Sequence, residues 1–79
     1  MKVGIAGSLE SNDCMITVTE SDTQIIEISS IVDAFFHDQI EAVIKNILKD
    51  KKIKVVCQDK GALDYTIRAR LITALERMG

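Results

Sequence analysis

Cys14-Met15-Ile16-Thr17-Val18-Thr19-Glu20-Ser21-Asp22-Thr23-Gln24-Ile25-Ile26-Glu27-Ile28-Ser29 reads as strand, turn, strand. Over residues 14–20, Cys14, Ile16 and Val18 point one way and Met15, Thr17 and Thr19 the other. This period of two and the β-branched content suit a pleated, half-buried surface. Ser21, Asp22 and Thr23 have short polar side chains that bond nearby backbone groups, which marks a turn. Residues 24–29 return with Ile26 and Ile28 inward. The two strands are expected to pair as an antiparallel hairpin.

Upstream, residues 2–6 alternate, with Val3 and Ile5 on one side, giving a short first strand weakened by glycine. Gly7-Ser8-Leu9-Glu10-Ser11-Asn12-Asp13 joins it to the second strand as a polar loop. Downstream, Ser30 is expected to open a long helix, with Asp33 three residues on as in a capping box. Val32, Phe36, Ile40, Val43, Ile44, Ile47 and Leu48 form its apolar stripe. Ile31 and Phe35 fall outside the stripe and either fold over the helix start or form a partner patch. Lys49, Lys51 and Lys52 suit the negative helix end.

Residues 53–58 alternate again through Ile53, Val55 and Cys57, and Asp59-Lys60-Gly61 makes a turn. Asp59 or Gly61 is expected to cap a last helix over 62–78, whose stripe is Leu63, Ile67, Leu71, Ala74, Leu75 and Met78, with Gly79 ending it. The order βββαβα, with one apolar stripe per helix, predicts an α+β, two-layer domain. Its four-stranded mixed sheet carries two helices on one face.

The 79 residues make a single domain over 1–79. A chain of this size buries only about 60% of its unfolded surface, so its stability is modest. With no Trp, one Tyr and two Phe, the core is aliphatic. A net charge of −2 argues against a basic face for nucleic acid. No stretch approaches the roughly 20 apolar residues of a membrane span. The first six residues are too short for a secretory signal, so a cytoplasmic location is expected.

Chemistry of its own is hard to build from these residues. His37 lies mid-helix with no nucleophile placed beside it, and reads as a solvated helix histidine. Cys14 and Cys57 lack metal-ligand spacing and read as reduced, buried thiols. There is no Gly-rich phosphate loop and no metal motif. Catalytic and metal-binding residues are therefore expected to be absent, which leaves a carrier, binding or structural role. In that setting the loop at 7–13 is either a plain polar turn or a site carrying a serine.

Two segments carry a resemblance to a known family. They are AGSLESNDCM, residues 6–15, and QDKGALDYTIRARL, residues 58–71. Together they resemble the acyl carrier protein of citrate lyase, its small gamma subunit. That family's motifs are close to G-[ST]-L-E-S-[GN]-D and to D-K-G-A-L-D followed by R-A-R; their spacing fits, as does the DTQ at 22–24. Asn12 stands where Gly is frequent, Tyr65 where many members have Cys, and many members continue into a C-terminal tail.

The resemblance implies that Ser11 holds a phosphoribosyl-dephospho-CoA group through a phosphodiester, while Ser8 stays unmodified. It implies a cytoplasmic complex with the alpha and beta subunits of citrate lyase, and a separate cofactor-loading transferase. The cofactor thiol would carry acetyl as a thioester. The alpha subunit would exchange acetyl for citrate, and the Mg-dependent beta subunit would release oxaloacetate. This chain would do no bond chemistry itself.

A loop tip would leave the arm free and hold it near both active sites, at about millimolar effective concentration for a short flexible link. Lys60 and Gly61, before a helix N-terminus, are expected beside the phosphodiester or the loading enzyme, a plain turn being the alternative. Asp64 and Arg68 are expected to form an ordinary surface pair four residues apart. The competing readings are the carrier subunit of malonate decarboxylase, which bears the same type of cofactor, and an unmodified adaptor domain.

Overall fold

The computed structural model describes residues 2–30 and 34–79. Its elements run β1 (Val3–Gly7), β2 (Cys14–Glu20), β3 (Ile25–Ser30), α1 (Ala34–Leu48), β4 (Ile53–Asp59) and α2 (Asp64–Met78). They form a four-stranded mixed sheet with two helices, the expected α+β order. No helix among the described residues is long and apolar enough to cross a membrane.

The sheet order is β1-β2-β4-β3, so the expected hairpin does not form. β4 lies between its two arms, antiparallel to β2 and parallel to β3. The arms still run antiparallel to each other, but they stand two strand spacings apart, about 9.6 Å. A link of residues 21–24 reaches about 13 Å when extended, so it spans the slot. The link has its expected local bond, the Thr23 N–H donating to Ser21 Oγ at 3.4 Å. The slot is set by longer-range bonds. Gln24 Nε2 donates to the carbonyls of Lys49 and Lys51 at 2.8 and 3.1 Å, and the Ser21 N–H donates to the Lys52 carbonyl at 3.3 Å. These pin the link to the α1–β4 connection, where β4 enters the sheet.

The inward residues of β2 and β4 are those read from alternation. Cys14, Ile16 and Val18 are buried against the helices, as are Ile53, Val55 and Cys57. Ile40, Val43, Ile44 and Leu48 of α1 and Ile67, Leu71 and Ala74 of α2 close the core. β1 shows the opposite of its hydropathy pattern. Val3 and Ile5 are 44% and 49% exposed on the helix-free face, while Gly4 and Ala6 turn toward α2. The reason is distance. A Cβ on Gly4 would sit 1.9 Å from the Ala74 carbonyl oxygen, so the helix packs on bare backbone. Close approach selects small residues there, and the larger ones go outward.

The residues expected to open the two helices are engaged elsewhere. Ser30 closes β3 instead of opening α1, and its hydroxyl donates to Asp59 Oδ2 at 2.8 Å. The proposed cap partner Asp33, and the placing of Ile31, Val32, Phe35 and Phe36, lie outside the described residues and side chains. α2 begins at Asp64 behind an extended N-cap, Leu63, which makes no side-chain cap bond and is 60% exposed rather than in the stripe. Asp59 instead accepts the Ala62 N–H at 2.8 Å, two residues before the helix. Ordering the turn takes precedence over capping because Asp59 is itself buried, at 2% exposure, and needs internal donors.

Candidate functional site

The loop between β1 and β2 is a tight turn on a rigid base. The Asp13 N–H donates to the Glu10 carbonyl at 3.2 Å, which puts Ser11 and Asn12 at the two corner positions. Asn12 has φ 66°, in the left-handed region that Gly enters freely and Asn tolerates better than most residues. The corner therefore suits Asn or Gly. Ser11, Glu10 and Leu9 are exposed.

The two serines of the loop differ sharply. Ser8 Oγ donates to Asp13 Oδ2 at 2.7 Å and accepts the Glu10 N–H at 3.3 Å. Its hydroxyl is thus spent on holding the loop. Ser11 has no hydrogen bond to a described residue, and it is exposed.

Asp13 organises the base. One oxygen accepts the Cys14 N–H at 2.7 Å, the other accepts Ser8, and Arg70 of α2 donates to both, from Nε at 3.0 Å and Nη2 at 2.9 Å. The Arg70 guanidinium first, then the Ser8 hydroxyl and the Cys14 N–H, hold the Asp13 carboxyl down at about 2. Gly7 makes the approach possible. It has φ 99°, and a Cβ there would lie 1.9 Å from the Cys14 carbonyl oxygen and 3.2 Å from Arg70 Cδ.

The two separated motifs meet at this point. The Asn12 N–H donates to the Lys60 carbonyl at 2.8 Å, and the Lys60 N–H donates to the Asp13 carbonyl at 2.9 Å. Gly61 is so near that a Cβ on it would lie 3.6 Å from Asn12 Oδ1. Lys60 therefore reaches the loop through its backbone. The sequence put Lys60 and Gly61 forward as neighbours of the arm or the loading enzyme, and here they adjoin Asn12 and Asp13 of the loop. It missed the Asp13–Arg70 clamp between residues 57 apart, although each lies in one of the two motifs.

Other expectations sort as follows. The Asp64–Arg68 pair does not form among the described residues; Asp64 Oδ2 accepts instead from Gln39 Nε2 of α1 at 2.8 Å. Cys14 and Cys57 are free and fully buried, and the hydrogen bond with Cys14, then burial, pushes the Cys57 thiol well up. His37 lies on the exposed face of α1 with Asp38 and Glu41, and Glu41 is engaged by Lys45 at 3.0 Å. These are surface helix contacts, far in character from a catalytic base with an oriented partner.

Comparison with known proteins gives a consistent picture. A family model described as ACP, malonate decarboxylase delta subunit (MdcD), matches residues 1–78. The citrate lyase acyl carrier protein of Halothermothrix orenii is 49% identical over 76 residues, covering 91% of this chain and 81% of the relative. That of Streptococcus mutans is 47% identical over 81 residues, covering 96% and 79%. That of Haemophilus influenzae is 43% identical over 79 residues, covering 96% and 83%. Among solved structures, a chain in the crystal structure of a Pseudomonas malonate decarboxylase hetero-tetramer in complex with malonate aligns with TM-score 0.81 at 16% identity, over 99% of this chain and 84% of that one. At that identity the likeness is one of fold.

Proposed function

The chain belongs to the citrate lyase acyl carrier protein family, and from that premise we propose that it carries an acyl group on a prosthetic arm joined to Ser11. The arm is a phosphoribosyl-dephospho-CoA unit in phosphodiester linkage, and the thiol it supplies carries acetyl or citryl as a thioester. The chain shuttles that group between the acyl-transferase (alpha) and citryl lyase (beta) subunits while citrate is cleaved to acetate and oxaloacetate. It contributes no catalytic residue, and a dedicated transferase loads it in the cytoplasm.

The observation that carries this reading is the contrast within the loop. Ser8 is tied to Asp13 and Glu10, while Ser11 stands exposed and uncommitted at the corner of a turn. The residues around it fit the group. A phosphodiester on Ser11 brings negative charge near Asp13, and the Arg70 guanidinium already balances that carboxylate. Lys60 stands in the adjoining turn as a further cation for the diester or the loading enzyme. The loop base is fixed by backbone bonds to Lys60, so the arm alone moves.

Intact mass tests it. Co-expression with the loading transferase adds one cofactor mass to the chain, and Ser11→Ala abolishes the addition while Ser8→Ala keeps it. Retention of the added mass in Ser11→Ala overturns the assignment.

A second reading, the carrier subunit of malonate decarboxylase, is favoured by the family model's description and by the structural neighbour. The Leu9-Glu10-Ser11 and 59–64 segments, with the 42–49% identical relatives, favour citrate lyase. Co-purifying partner subunits distinguish the two.

A further inference from the structure

A cavity of about 180 Å³ opens between α1 and the β4–α2 turn, lined among the described residues by Gln39, Ile40, Asp59, Gly61, Ala62, Leu63 and Asp64. Its wall is continuous with the candidate attachment loop. Gly61 lines the cavity, and a Cβ on it would lie 3.6 Å from Asn12 Oδ1. Asn12 is the neighbour of Ser11. The loop corner therefore adjoins the cavity wall at a residue without a side chain.

The chemistry of the lining selects what fits. Ile40, Ala62 and Leu63 supply apolar surface. The polar groups are mainly acceptors. Asp59 has one donor on each oxygen, from Ser30 and Ala62, and a carboxylate has lone pairs to spare beyond those. Asp64 receives Gln39 on a single oxygen. No Lys or Arg is among the lining residues described. Phosphate or free carboxylate is disfavoured there, whereas a slender neutral chain bearing amide N–H groups and a sulfur end is well matched. At ~30 Å³ of liquid volume per water, the space suits a short run of atoms and not a nucleotide.

The geometry points to this cavity as a resting site for the sulfur end of the arm on Ser11, as free thiol or small uncharged thioester, while the diester end stays outside at the loop. This rests on the carrier reading above. It adds a division of states. A small neutral acyl group rests against Leu63 and Ile40. An acyl group carrying carboxylates meets Asp59 and Asp64 and remains outside.

The test uses the full chain loaded by co-expression with its transferase, with intact mass showing the load. Amide proton–nitrogen spectra are compared for the unloaded chain, the loaded thiol form and its acetylated form. Gln39, Gly61, Leu63 and Asp64 amides are expected to shift on loading and again on acetylation. The arm thiol should alkylate with iodoacetamide more slowly than coenzyme A; an arm resting for four-fifths of the time gives about a fivefold slowing. The unloaded chain is the blank for the buried Cys14 and Cys57. Ala62→Phe, which fills the cavity, should load equally and alkylate at the coenzyme A rate. Shifts confined to residues 8–13, with alkylation of the wild-type chain at the coenzyme A rate, overturn the resting site whether or not that variant folds. Absence of any added mass overturns the carrier reading instead, and the resting site with it.

Discussion

Arg70 of α2 grips both carboxylate oxygens of Asp13, at 3.0 and 2.9 Å, two positions beyond the serine at the loop corner. A planar fork on a carboxylate fixes direction as well as distance. The clamp makes the second helix, at the far end of the chain, a positioning element for the first loop.

Arg70→Lys is therefore not conservative here. A single ammonium keeps the charge but loses the two-point grip. Loading of Ser11 should slow by up to about a hundredfold, the cost of misplacing a reacting group by about an ångström. Amide exchange at Asn12 and Lys60 should speed up while core amides such as Val18 and Val55 stay protected. Unchanged loading together with unchanged exchange would show that the loop holds itself.

The clamp sets a pH dependence. Asp13 titrates at about 2 in the folded chain against 3.8 ordinarily. A carboxyl depressed on folding contributes stability that is complete above its unfolded value and lost as pH falls through the folded one. Loop protection should hold at pH 5 and fail between about pH 4 and 2. The Asp13 carboxyl carbon signal should show its midpoint near 2, moving up in Arg70→Ala. An Asp13 midpoint near 3.8 in the wild-type chain would mean that Arg70 does not hold it.

Asn12 tests the turn itself. At φ 66°, a side chain that cannot tolerate the left-handed region strains the corner. Asn12→Val should cost about 1–2 kcal/mol, lowering the melting temperature by roughly 4–8 °C per kcal/mol for a domain of this size. Asn12→Gly should be close to neutral. Equal melting of all three would contradict the turn geometry.

What the sequence revealed follows the range of the forces involved. β2 and β4 were legible because alternation of β-branched residues is a local signal, and Ile16, Val18 and Val55 are buried as read. The slot that β4 fills was not legible. The Ser21–Thr23 turn looks the same whether its arms pair or stand apart, and the deciding bonds run from Gln24 to Lys49 and Lys51. β1 misled because the approach of α2 to Gly4 outweighs the hydropathy of Val3 and Ile5. Ser11 and the 59–61 turn emerged as neighbours only through the resemblance, since no periodicity links residues so far apart. Arg70 was visible as part of the second motif, but its partner lies 57 residues away.

Gly4→Val probes the close approach of helix to strand. Its Cβ would lie 1.9 Å from the Ala74 carbonyl oxygen and 2.7 Å from the Met78 backbone nitrogen, and backbone cannot swing aside as a side-chain tip can. Overpacking of this kind typically costs about 1–3 kcal/mol. Displacement of α2 would also loosen Arg70, so the variant should load more slowly as well as melt earlier. A stable variant that loads normally would mean α2 can back away without carrying the clamp with it.

Asp59 ends β4 as the described core's buried acid, at 2% exposure, and ties three segments together. Oδ2 takes the Ser30 hydroxyl from the end of β3, and Oδ1 takes the Ala62 N–H at the approach to α2, both at 2.8 Å. Asp59→Ala leaves the Ala62 N–H without its acceptor and strips Ser30 of this bond, and an unmet buried polar group costs about 1–3 kcal/mol. Asp59→Asn separates the two contacts. Its amide has one acceptor oxygen, which can keep the Ala62 N–H, while its NH₂ can donate to the Ser30 hydroxyl if that hydroxyl turns to accept. Denaturant unfolding should therefore rank wild type above Asn and Asn above Ala. Amide exchange at Ala62 should be fast in Ala and near normal in Asn. Because Lys60 lies between Asp59 and Gly61 and bonds the Ser11 loop through its backbone, the Ala variant should also weaken protection of Asn12. If Asn12 protection is unaffected while Ala62 exchanges freely, the turn is held from the loop side by Asp13 and not from the core side by Asp59.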